Sequence, residues 1–450
     1  MKIHFIGIGG IGMSALAQYY LSKGQEVFGS DLASSEITDF LKEKGIGVAI
    51  GNYSQNIKED FNLVVYSPAV PKDNPEYKRA VELGIKLQSY PEALGELTKQ
   101  YFTIAVSGSH GKSTTTAMIG LILAKAGLDP TVIVGTKLKE FGDSNFREGK
   151  SSFLVIEACE YDDSFANYQP KIVAVTNIDK EHLDYFKTFG NIVKAFKKFI
   201  LKLPQDGFLV SNKDDKNLFK ISKGKFKTEY YSIKSRSQSD RGSSILSGQK
   251  EAAKLKKNLK IPGSHNVSNA LAALSVARIL NVKDATSLKT LSEYKGSWRR
   301  FEVFDKKLTS PKNLKTINYT LISDYGHHPN EISATLKSAR EKYPKKIMWC
   351  IFQPHQYQRT YYLLKDFVKV FREAPIDNII ITDIYDVAGR EDKKISSNVS
   401  SKNLVEKVKK NSVSYFSVDE AEKYVKENIK SGEALIVMGA GDIYKLVDKL

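Results

Sequence analysis

The sequence predicts an α/β protein of three domains, and three observations lead to this fold class. The chain has 450 residues, which is too long for one ordinary core and corresponds to about three domains of roughly 100–200 residues. Short apolar runs alternate with helical patterns near both ends of the chain, as in βαβ units with a parallel sheet. Near Tyr101 the cycle restarts with a strand that enters a glycine turn. We therefore predict domains at residues 1–100, 101–300 and 301–450.

The elements of the first domain follow one another as strand, helix, strand. Its predicted strands are 3–8, 26–28, 63–66 and 86–88, and its predicted helices are 13–22, 37–44, 75–83 and 91–98. In the central domain the predicted strands are 102–106, 153–156, 172–175 and 207–210, with helices 114–126 and 267–279. The polar, lysine-rich segment 220–260, with turn residues at Ser239, Asp240, Arg241 and Gly242, indicates surface hairpins or an insertion.

The third domain repeats the α/β pattern after Phe301. Its predicted elements are 319–322, 332–342, 347–352, 364–371, 378–382, 402–409 and 434–438. The three domains together account for most of the apolar periodicity of the chain.

Composition excludes several classes of protein. Hydrophobic residues make up 41% and charged residues 26%, which is typical of a globular chain and not of a disordered one. The formal charge of +17 is compatible with an anionic partner, but solvated lysine faces explain it as well. The sequence contains no arginine-rich tract that would indicate nucleic-acid binding. Two cysteines, Cys159 and Cys350, are too few and too far apart for a disulfide framework or a cysteine zinc site.

The sequence also lacks membrane and export signals. No uncharged apolar run reaches the roughly 18 residues that span a bilayer, and glycines interrupt the apolar N-terminus. We therefore expect a soluble cytoplasmic protein, monomer or homodimer, with no nucleic-acid or membrane partner.

The first chemical motif is Gly7-Ile8-Gly9-Gly10-Ile11-Gly12, between a predicted strand and a predicted helix. Glycines there let backbone N–H groups approach a diphosphate at the helix N-terminus, and Asp31 at the end of the second strand can accept from a ribose hydroxyl. A tight strand-to-helix turn without a ligand explains the same pattern. The motif does not encode which nucleotide binds, and a second nucleotide motif downstream makes the default, NAD, doubtful.

The second motif is the loop from Val106 to Thr116, a strand that enters a glycine loop with Gly111-Lys112-Ser113 at a helix start. Such a loop cradles the β-phosphate of ATP, while Lys112 reaches the β/γ oxygens and the Ser113 hydroxyl ligates Mg²⁺. Val106 stands where the first glycine of the usual P-loop belongs, so the spacing is shorter. The alternative is a glycine turn with a solvated lysine.

A carboxylate that could complete a magnesium site follows the next predicted strand. Glu157 stands at the C-terminal end of strand 153–156, where open α/β sheets bind ligands. A solvated loop charge is the alternative. His182 and Asp184 follow another strand end.

In combination these motifs resemble the Mur ligase family, the ATP-dependent amide-forming enzymes of peptidoglycan precursor synthesis. The resemblance covers nearly the whole chain. Its matches, in order, are 7–13, 108–116, 157–162, 176–178 with 182–184, 262–266 with 269–271, 299–302, 324–329, 352–355 with 359–360, and 439–443.

The resemblance implies a Rossmann-like N-terminal domain for a UDP-sugar, a central P-loop ATPase-like parallel sheet for ATP, and a Rossmann-like C-terminal α/β domain for the amino acid. It implies that ATP and Mg²⁺ drive the ligation of L-alanine to the lactyl carboxylate of UDP-N-acetylmuramate. An acyl phosphate forms on the way, and ADP and phosphate are released.

The same resemblance implies roles for individual residues. For ATP these are Gly108, Ser109, His110, Gly111, Lys112, Ser113, Thr114, Asn266, Asn269, Arg300 and Asp324. For the UDP-sugar they are Gly9, Gly10, Ile11, Gly12, Asp31 and Ser67, and for the amino acid Tyr325, His327 and Arg359. The implied metal ligands are Ser113, Glu157 and His182, and the implied catalytic residues are Lys112, Glu157, His182, His327 and Arg359.

Departures from the family pattern leave the reaction intact but bear on the amino acid. Cys159, Glu181 and Ser323 each stand where many members carry aspartate, and Gln356 stands where many alanine-adding members carry arginine. The nearest alternative is a murein-tripeptide recycling ligase of the same family. A remote one is a basic, nucleic-acid-dependent ATPase, which would explain the charge and the P-loop but not the first domain.

Overall fold

The computed structural model describes residues 1–223, 226–234, 245–247, 249–309, 315–386 and 393–450. It contains three sheets of mainly parallel strands, which confirms the predicted three-domain α/β fold. The chain divides into two compact units. The first unit comprises Met1–Asp179, Gly190–Asn258 and Val267–Tyr294, and the second comprises Lys180–Phe189, Leu259–Asn266 and Lys295–Leu450.

The N-terminal sheet of the first unit has five parallel strands in the order β3-β2-β1-β4-β5. The strands are β1 (Lys2–Ile6), β2 (Glu26–Asp31), β3 (Gly47–Ile50), β4 (Leu63–Tyr66) and β5 (Lys86–Ser89). The helices that follow them are α1 (Ile11–Ser22), α2 (Glu36–Glu43), α3 (Pro75–Glu82) and α4 (Tyr90–Thr98). Strand order reverses at β1, so the crevice beyond the C-terminal ends of β1 and β4 is the place where a Rossmann-like sheet binds its ligand.

The central sheet of the first unit has eight strands in the order β13-β12-β11-β10-β6-β9-β7-β8. They are β6 (Phe102–Ser107), β7 (Thr131–Leu138), β8 (Ser144–Arg147), β9 (Phe153–Glu157), β10 (Ile172–Val175), β11 (Phe208–Asn212), β12 (Lys227–Tyr231) and β13 (Ile245–Ser247). Among the described residues of this sheet, only β8 is antiparallel to its neighbour. The middle strand β6 leads into the P-loop, as the sequence predicts.

Residues 101–300 also form seven helices in the described ranges. They are α5 (Lys112–Lys125), α6 (Leu183–Phe186), α7 (Phe189–Ile200), α8 (Lys216–Ser222), α9 (Gln249–Asn258), α10 (Ser264–Ile279) and α11 (Asp284–Glu293).

The described strands within 220–260 do not form the predicted surface hairpins, so that alternative is wrong for them, while the insertion stays a prediction. Strand β12 pairs with β11 in parallel, and β13 pairs with β12 in parallel, so this segment extends the central sheet. Strand β12 was not predicted because its sequence is Lys-Thr-Glu-Tyr-Tyr, and only Tyr231 in it is fully buried. The predicted turn at Ser239–Gly242 lies outside the described residues.

In the described ranges, the sheet of the second unit has six strands in the order β14-β15-β19-β16-β17-β18, of which only β14 is antiparallel to its neighbour. They are β14 (Glu302–Thr309), β15 (Thr316–Asp324), β16 (Met348–Phe352), β17 (Asn378–Ile381), β18 (Val413–Tyr415) and β19 (Ala434–Met438). The helices are α12 (Pro329–Lys342), α13 (Tyr357–Tyr362), α14 (Leu364–Glu373), α15 (Lys393–Ser396), α16 (Ser401–Val408), α17 (Val418–Asn428) and α18 (Leu446–Lys449).

The buried strands of this sheet explain why its apolar runs were easy to predict. Cys350 and Phe352 of β16 pack into one hydrophobic cluster, while Trp349 and Ile351 pack into another on the opposite face. A strand that is covered on both faces reads as a continuous apolar run. In the part of the chain that the structure describes, no helix is long and apolar enough to cross a membrane.

Candidate active site

The glycine loop of the first unit joins β1 to α1 at the point where strand order reverses. Gly7 has a φ of 81°, and a Cβ there would lie 3.1 Å from the Cβ of Ser67, which follows β4. Asp31, the last residue of β2, accepts the N–H of Gly9 at 2.8 Å. The structure therefore brings the predicted UDP-sugar residues Gly9, Gly10, Ile11, Gly12, Asp31 and Ser67 to one edge of the sheet.

The P-loop lies at the C-terminal end of β6 and needs its glycines. Gly108 has a φ of 134° and Gly111 a φ of 84°. A Cβ at Gly108 would lie 2.1 Å from Oγ1 of Thr176, and one at Gly111 would lie 2.3 Å from Oδ1 of Asn269. Both positions combine left-handed backbone with close contact, so only glycine fits.

The segment after β10 braces this loop, a role that the sequence reasoning missed. The carbonyl of Asn177 accepts the N–H of Ser109 at 3.1 Å, and its side-chain oxygen accepts the N–H of His110 at 2.9 Å. Thr176 donates to the carbonyl of His110 at 2.6 Å, and Asp179 lies 2.9 Å from Nε2 of His110. The N–H groups of Ser109 and His110 are thus occupied, and the first turn of α5 supplies the N–H groups that can still bind an anion.

Lys112 begins α5 and directs its ammonium group back over the loop. Nζ donates to the carbonyl of Gly108 at 2.6 Å and to that of Ser109 at 3.3 Å. It also forms an ion pair with Oε2 of Glu160 at 2.9 Å. Burial alone would lower the pKa of Lys112, but the Glu160 carboxylate raises it above its ordinary value, so the lysine is charged.

The Ser113 hydroxyl and the Glu157 carboxylate are oxygen donors of the kind that binds magnesium, and both belong to elements that flank the P-loop. Ser113 and Thr114 lie buried in the first turn of α5. Glu157 ends β9, the strand that pairs with β6, and stands in register with Val106. One carboxylate oxygen of Glu157 accepts the N–H of Gly135 at 2.9 Å, which orients the group. A hydroxyl and a carboxylate are the ligand types that Mg²⁺ prefers.

In the second unit, Asp324 ends β15 and organises the turn after it. Its carboxylate accepts the N–H groups of Phe301 and Gly326, each at 2.9 Å, and the hydroxyl of Thr335 at 3.1 Å. Burial raises the pKa of Asp324, and these hydrogen bonds oppose the rise. Asp324, which is predicted to bind ATP, therefore also stabilises its own loop.

Arg300, one of the predicted ATP residues, stands between two residues with positive φ. Arg299 and Phe301 have φ values of 56° and 54°. The guanidinium of Arg300 lies 4.8 Å from the ring centroid of Tyr325, and that of Arg299 lies equally close to the same ring. Arg299 is 5% exposed and donates to the carbonyl of Gly441 at 3.1 Å, so it ties the segment to the C-terminus.

His327 is held as a neutral imidazole. Its Nδ1 lies 3.1 Å from the carbonyl of Tyr325 and 3.4 Å from Glu331. Both partners are acceptors, so Nδ1 carries the proton and Nε2 keeps its lone pair. Burial lowers the pKa of His327 to about 4, although Glu331 opposes the shift.

Arg359 and Glu181 form a buried ion pair that the sequence did not reveal. Nε of Arg359 donates to Oε1 of Glu181 at 3.1 Å, and Nη1 donates to the carbonyl of His355 at 3.0 Å. Nη2 makes no hydrogen bond with a described residue. Burial would raise the pKa of Glu181, but Arg359 and then His182 hold it well below its usual range. Glu181, His182, Gln356 and Arg359 line the same small pocket.

The remaining predicted residues take these places. His182 precedes α6 with a φ of 54°. Asn266 donates to the carbonyl of Pro262 at 2.7 Å, while Asn269 belongs to the first unit and packs on Gly111. The structure thus groups Asn269 with the P-loop, and groups His182, His327 and Arg359 around Glu181, which lies 3.9 Å from Nε2 of His327.

Comparison with known protein families gives three consecutive matches, one to each of the three sheets. Three family descriptions match: "Mur ligase family, catalytic domain" at residues 2–102, "Mur ligase middle domain" at 106–277, and "Mur ligase, glutamate ligase domain" at 299–441.

Whole-length relatives agree with these matches. A UDP-N-acetylmuramate–L-alanine ligase of Acetivibrio thermocellus is 41% identical over 99% of this chain and 94% of its own length. One of Alkaliphilus metalliredigens is 42% identical over 100% of this chain and 96% of its own length. The crystal structure of a UDP-N-acetylmuramate–alanine ligase of Thermotoga maritima covers 100% of this chain and 98% of its own, with a TM-score of 0.79 at 27% identity. The chain therefore belongs to the Mur ligase family.

Proposed function

We propose that this chain is an ATP-dependent ligase that joins L-alanine to the lactyl carboxylate of UDP-N-acetylmuramate, a step of peptidoglycan precursor synthesis. The observation that carries this proposal is the identity of 41–42% with curated UDP-N-acetylmuramate–L-alanine ligases along the whole chain. The P-loop, with Lys112 at the start of α5 and Glu157 on the neighbouring strand, supports the ATP-dependent part of the reaction.

The first unit binds ATP through its P-loop. Backbone N–H groups from Gly111 to Thr114 surround the β-phosphate, because Asn177 already occupies those of Ser109 and His110. Lys112 exchanges its carbonyl partners for phosphate oxygens and offsets the charge on the transferring group. Asn266, Asn269, Arg300 and Asp324 are the remaining nucleotide residues of this proposal.

Ser113 and Glu157 would hold Mg²⁺, and His182 would belong to a second metal position. The oxygen donors fit the ion, since Glu157 uses only one carboxylate oxygen in its hydrogen bond to Gly135. Bound to ATP, the ion neutralises phosphate charge during transfer. The hydrogen bond from the Gly135 N–H orients the Glu157 carboxylate, so that its second oxygen is available to the metal ion.

The reaction proceeds in two steps, phosphoryl transfer and then amide formation. A lactyl carboxylate oxygen attacks the γ-phosphorus, the bond to the β-bridging oxygen breaks, and an acyl phosphate and ADP result. The neutral amine of alanine then attacks the acyl carbon, the C–O bond of the tetrahedral intermediate breaks, and one amine proton leaves with the phosphate, so that the amide and hydrogen phosphate result. Lys112 lowers the repulsion between the two anions of the first step.

The second unit binds the amino acid. The Nη2 edge of Arg359 is available for the alanine carboxylate, and Glu181 and His355 hold the rest of the guanidinium in place. Neutral His327 presents the lone pair of Nε2 to the amine as a hydrogen-bond acceptor. Tyr325 packs against the His327 ring, with centroids 5.3 Å apart, and restricts its orientation.

The UDP-sugar binds at the crevice between β1 and β4. The N–H groups of Ile11 and Gly12, at the start of α1, face the diphosphate, because Asp31 already accepts the N–H of Gly9 and the Gly7 carbonyl accepts that of Gly10. Asp31 and Ser67 flank the site.

One assay separates this proposal from its alternatives. ADP release is measured with ATP, Mg²⁺ and UDP-N-acetylmuramate in the presence of each amino acid in turn, of a murein tripeptide, or of DNA or RNA. We expect ADP release and a product of the mass of UDP-N-acetylmuramoyl-alanine with alanine, and weak turnover with glycine and serine, because one methylene changes discrimination by only about 1–3 kcal/mol. Preference for the tripeptide would assign the recycling ligase, and stimulation by nucleic acid alone would refute both.

A further inference from the structure

Glu160 is a buried carboxylate that the mechanism above leaves without a role. It lies three positions after the end of β9 and is 0% exposed. One oxygen, Oε2, pairs with Nζ of Lys112 at 2.9 Å. The other, Oε1, is fully buried and has no hydrogen-bond partner among the described residues. A structural ion pair would gain stability by satisfying both oxygens, so this arrangement points to a function.

The hydrogen bonds of the Lys112 ammonium indicate which of its contacts is released when phosphate binds. Its three N–H groups go to Glu160, to the carbonyl of Gly108 and to that of Ser109. Phosphate oxygens can bind only if some of these contacts are released. Release of Glu160 would strand a carboxylate in the interior, whereas release of a carbonyl breaks a neutral contact and costs far less. The carbonyls are therefore the exchangeable partners, and Glu160 stays.

We propose that Glu160 is the positioning residue of Lys112, holding the ammonium at one point while the γ-phosphoryl group transfers. The inference rests on the proposed ATP-dependent reaction. Glu160 itself stays off the phosphates, which it would repel, and acts only through the lysine. Charge on the transferring group is greatest in the transition state, so a loosely held lysine lowers kcat more than it weakens ATP binding.

Four single variants and one double variant test this role. Glu160→Gln keeps an oxygen of similar reach but removes the charge, and Glu160→Asp keeps the charge but shortens the reach by one methylene. Asp162→Asn is the matched control, because Asp162 is an exposed carboxylate in the same segment and its φ of 54° suits asparagine. Lys112→Met removes the ion-pair partner of Glu160, and the double variant with Glu160→Gln completes a double-mutant cycle.

We expect kcat to fall about tenfold or more in both Glu160 variants, while KM for alanine and for UDP-N-acetylmuramate stays within about twofold. Asp162→Asn should match the wild type. The affinity for ATP, measured by calorimetry, should fall about three- to tenfold on Glu160→Gln in the wild-type background and less than twofold in Lys112→Met. Melting temperatures verify that each variant is folded.

Three results would overturn the inference: a Glu160→Gln kcat within twofold of wild type, an unimpaired Glu160→Asp, or an undiminished effect in Lys112→Met. The binding cycle needs neither alanine nor the UDP-sugar. A wild-type enzyme that failed to ligate alanine would refute the proposed function, and the cycle would still decide the link between Glu160 and Lys112.

Discussion

Removal of Glu181 should destabilise the second unit severely, because it leaves the Arg359 guanidinium buried and unpaired. The two side chains are only 4% and 7% exposed, so solvent cannot replace the lost partner. Breaking such a pair from one side costs about 3–5 kcal/mol. For a domain of roughly 150–250 residues this corresponds to a melting point lower by roughly 6–20 °C, at about 2–4 °C per kcal/mol.

The assay is calorimetry of Glu181→Ala against two controls. Lys426→Ala removes a more exposed partner of a helical pair in the same unit and should cost at most about 0.5 kcal/mol. The double variant Glu181→Leu, Arg359→Met replaces both charges with apolar groups and should recover most of the loss. A Glu181→Ala melting point within about 2 °C of wild type would show that the Glu181–Arg359 pair is solvated in solution and does not stabilise the second unit.

Three further predictions follow from the same sites. Arg359→Lys keeps the charge opposite Glu181 but loses the planar fork, so KM for alanine should rise about tenfold or more while KM for ATP is unchanged; the reverse pattern would move Arg359 to the nucleotide site. Asp31→Ala should weaken UDP-N-acetylmuramate binding by about tenfold and leave ATP binding intact, as measured by calorimetry, whereas tight NADH binding by the full chain would contradict the UDP assignment. The pKa of His327 is lowered from 6.5 to about 4, so below pH 6.5 the unfolded chain takes up a proton that the folded chain refuses, and stability falls as pH falls. Denaturant titrations should find about 1.4 kcal/mol more lost between pH 7.5 and 5.5 in wild type than in His327→Gln, and equal losses would refute it.

The sequence predicted those parts of the fold that local patterns encode. Strands such as β16 and β19 are buried on both faces and read as apolar runs. Strand β12 was not predicted because its sequence, Lys-Thr-Glu-Tyr-Tyr, contains no apolar run and only Tyr231 is fully buried. Its parallel pairing with β11 cannot be read from these five residues alone. Local chemistry likewise marked the glycine loops, since a positive φ and a strand-to-helix turn both need glycine.

Pairs distant in sequence could not be predicted. Glu181 and Arg359 are 178 residues apart, and Lys112 and Glu160 are 48 apart. Glu181 drew attention only as a departure from the family pattern, and nothing in its neighbours indicates that it neutralises an arginine. The bracing of the P-loop by Asn177 also depends on β10 lying beside β6, which only the sheet order reveals.

Ligation through an acyl phosphate transfers one oxygen atom from the lactyl carboxylate to the released phosphate, and isotope labelling can follow this oxygen. UDP-N-acetylmuramate labelled with ¹⁸O in the lactyl carboxylate is turned over with ATP, Mg²⁺ and alanine, and the released phosphate is analysed by mass spectrometry. An acyl-phosphate intermediate requires one ¹⁸O atom in each released phosphate and none in ADP. Lys112→Ala should release no phosphate under the same conditions. Unlabelled phosphate alongside amide product, or label in AMP, would contradict an acyl-phosphate intermediate.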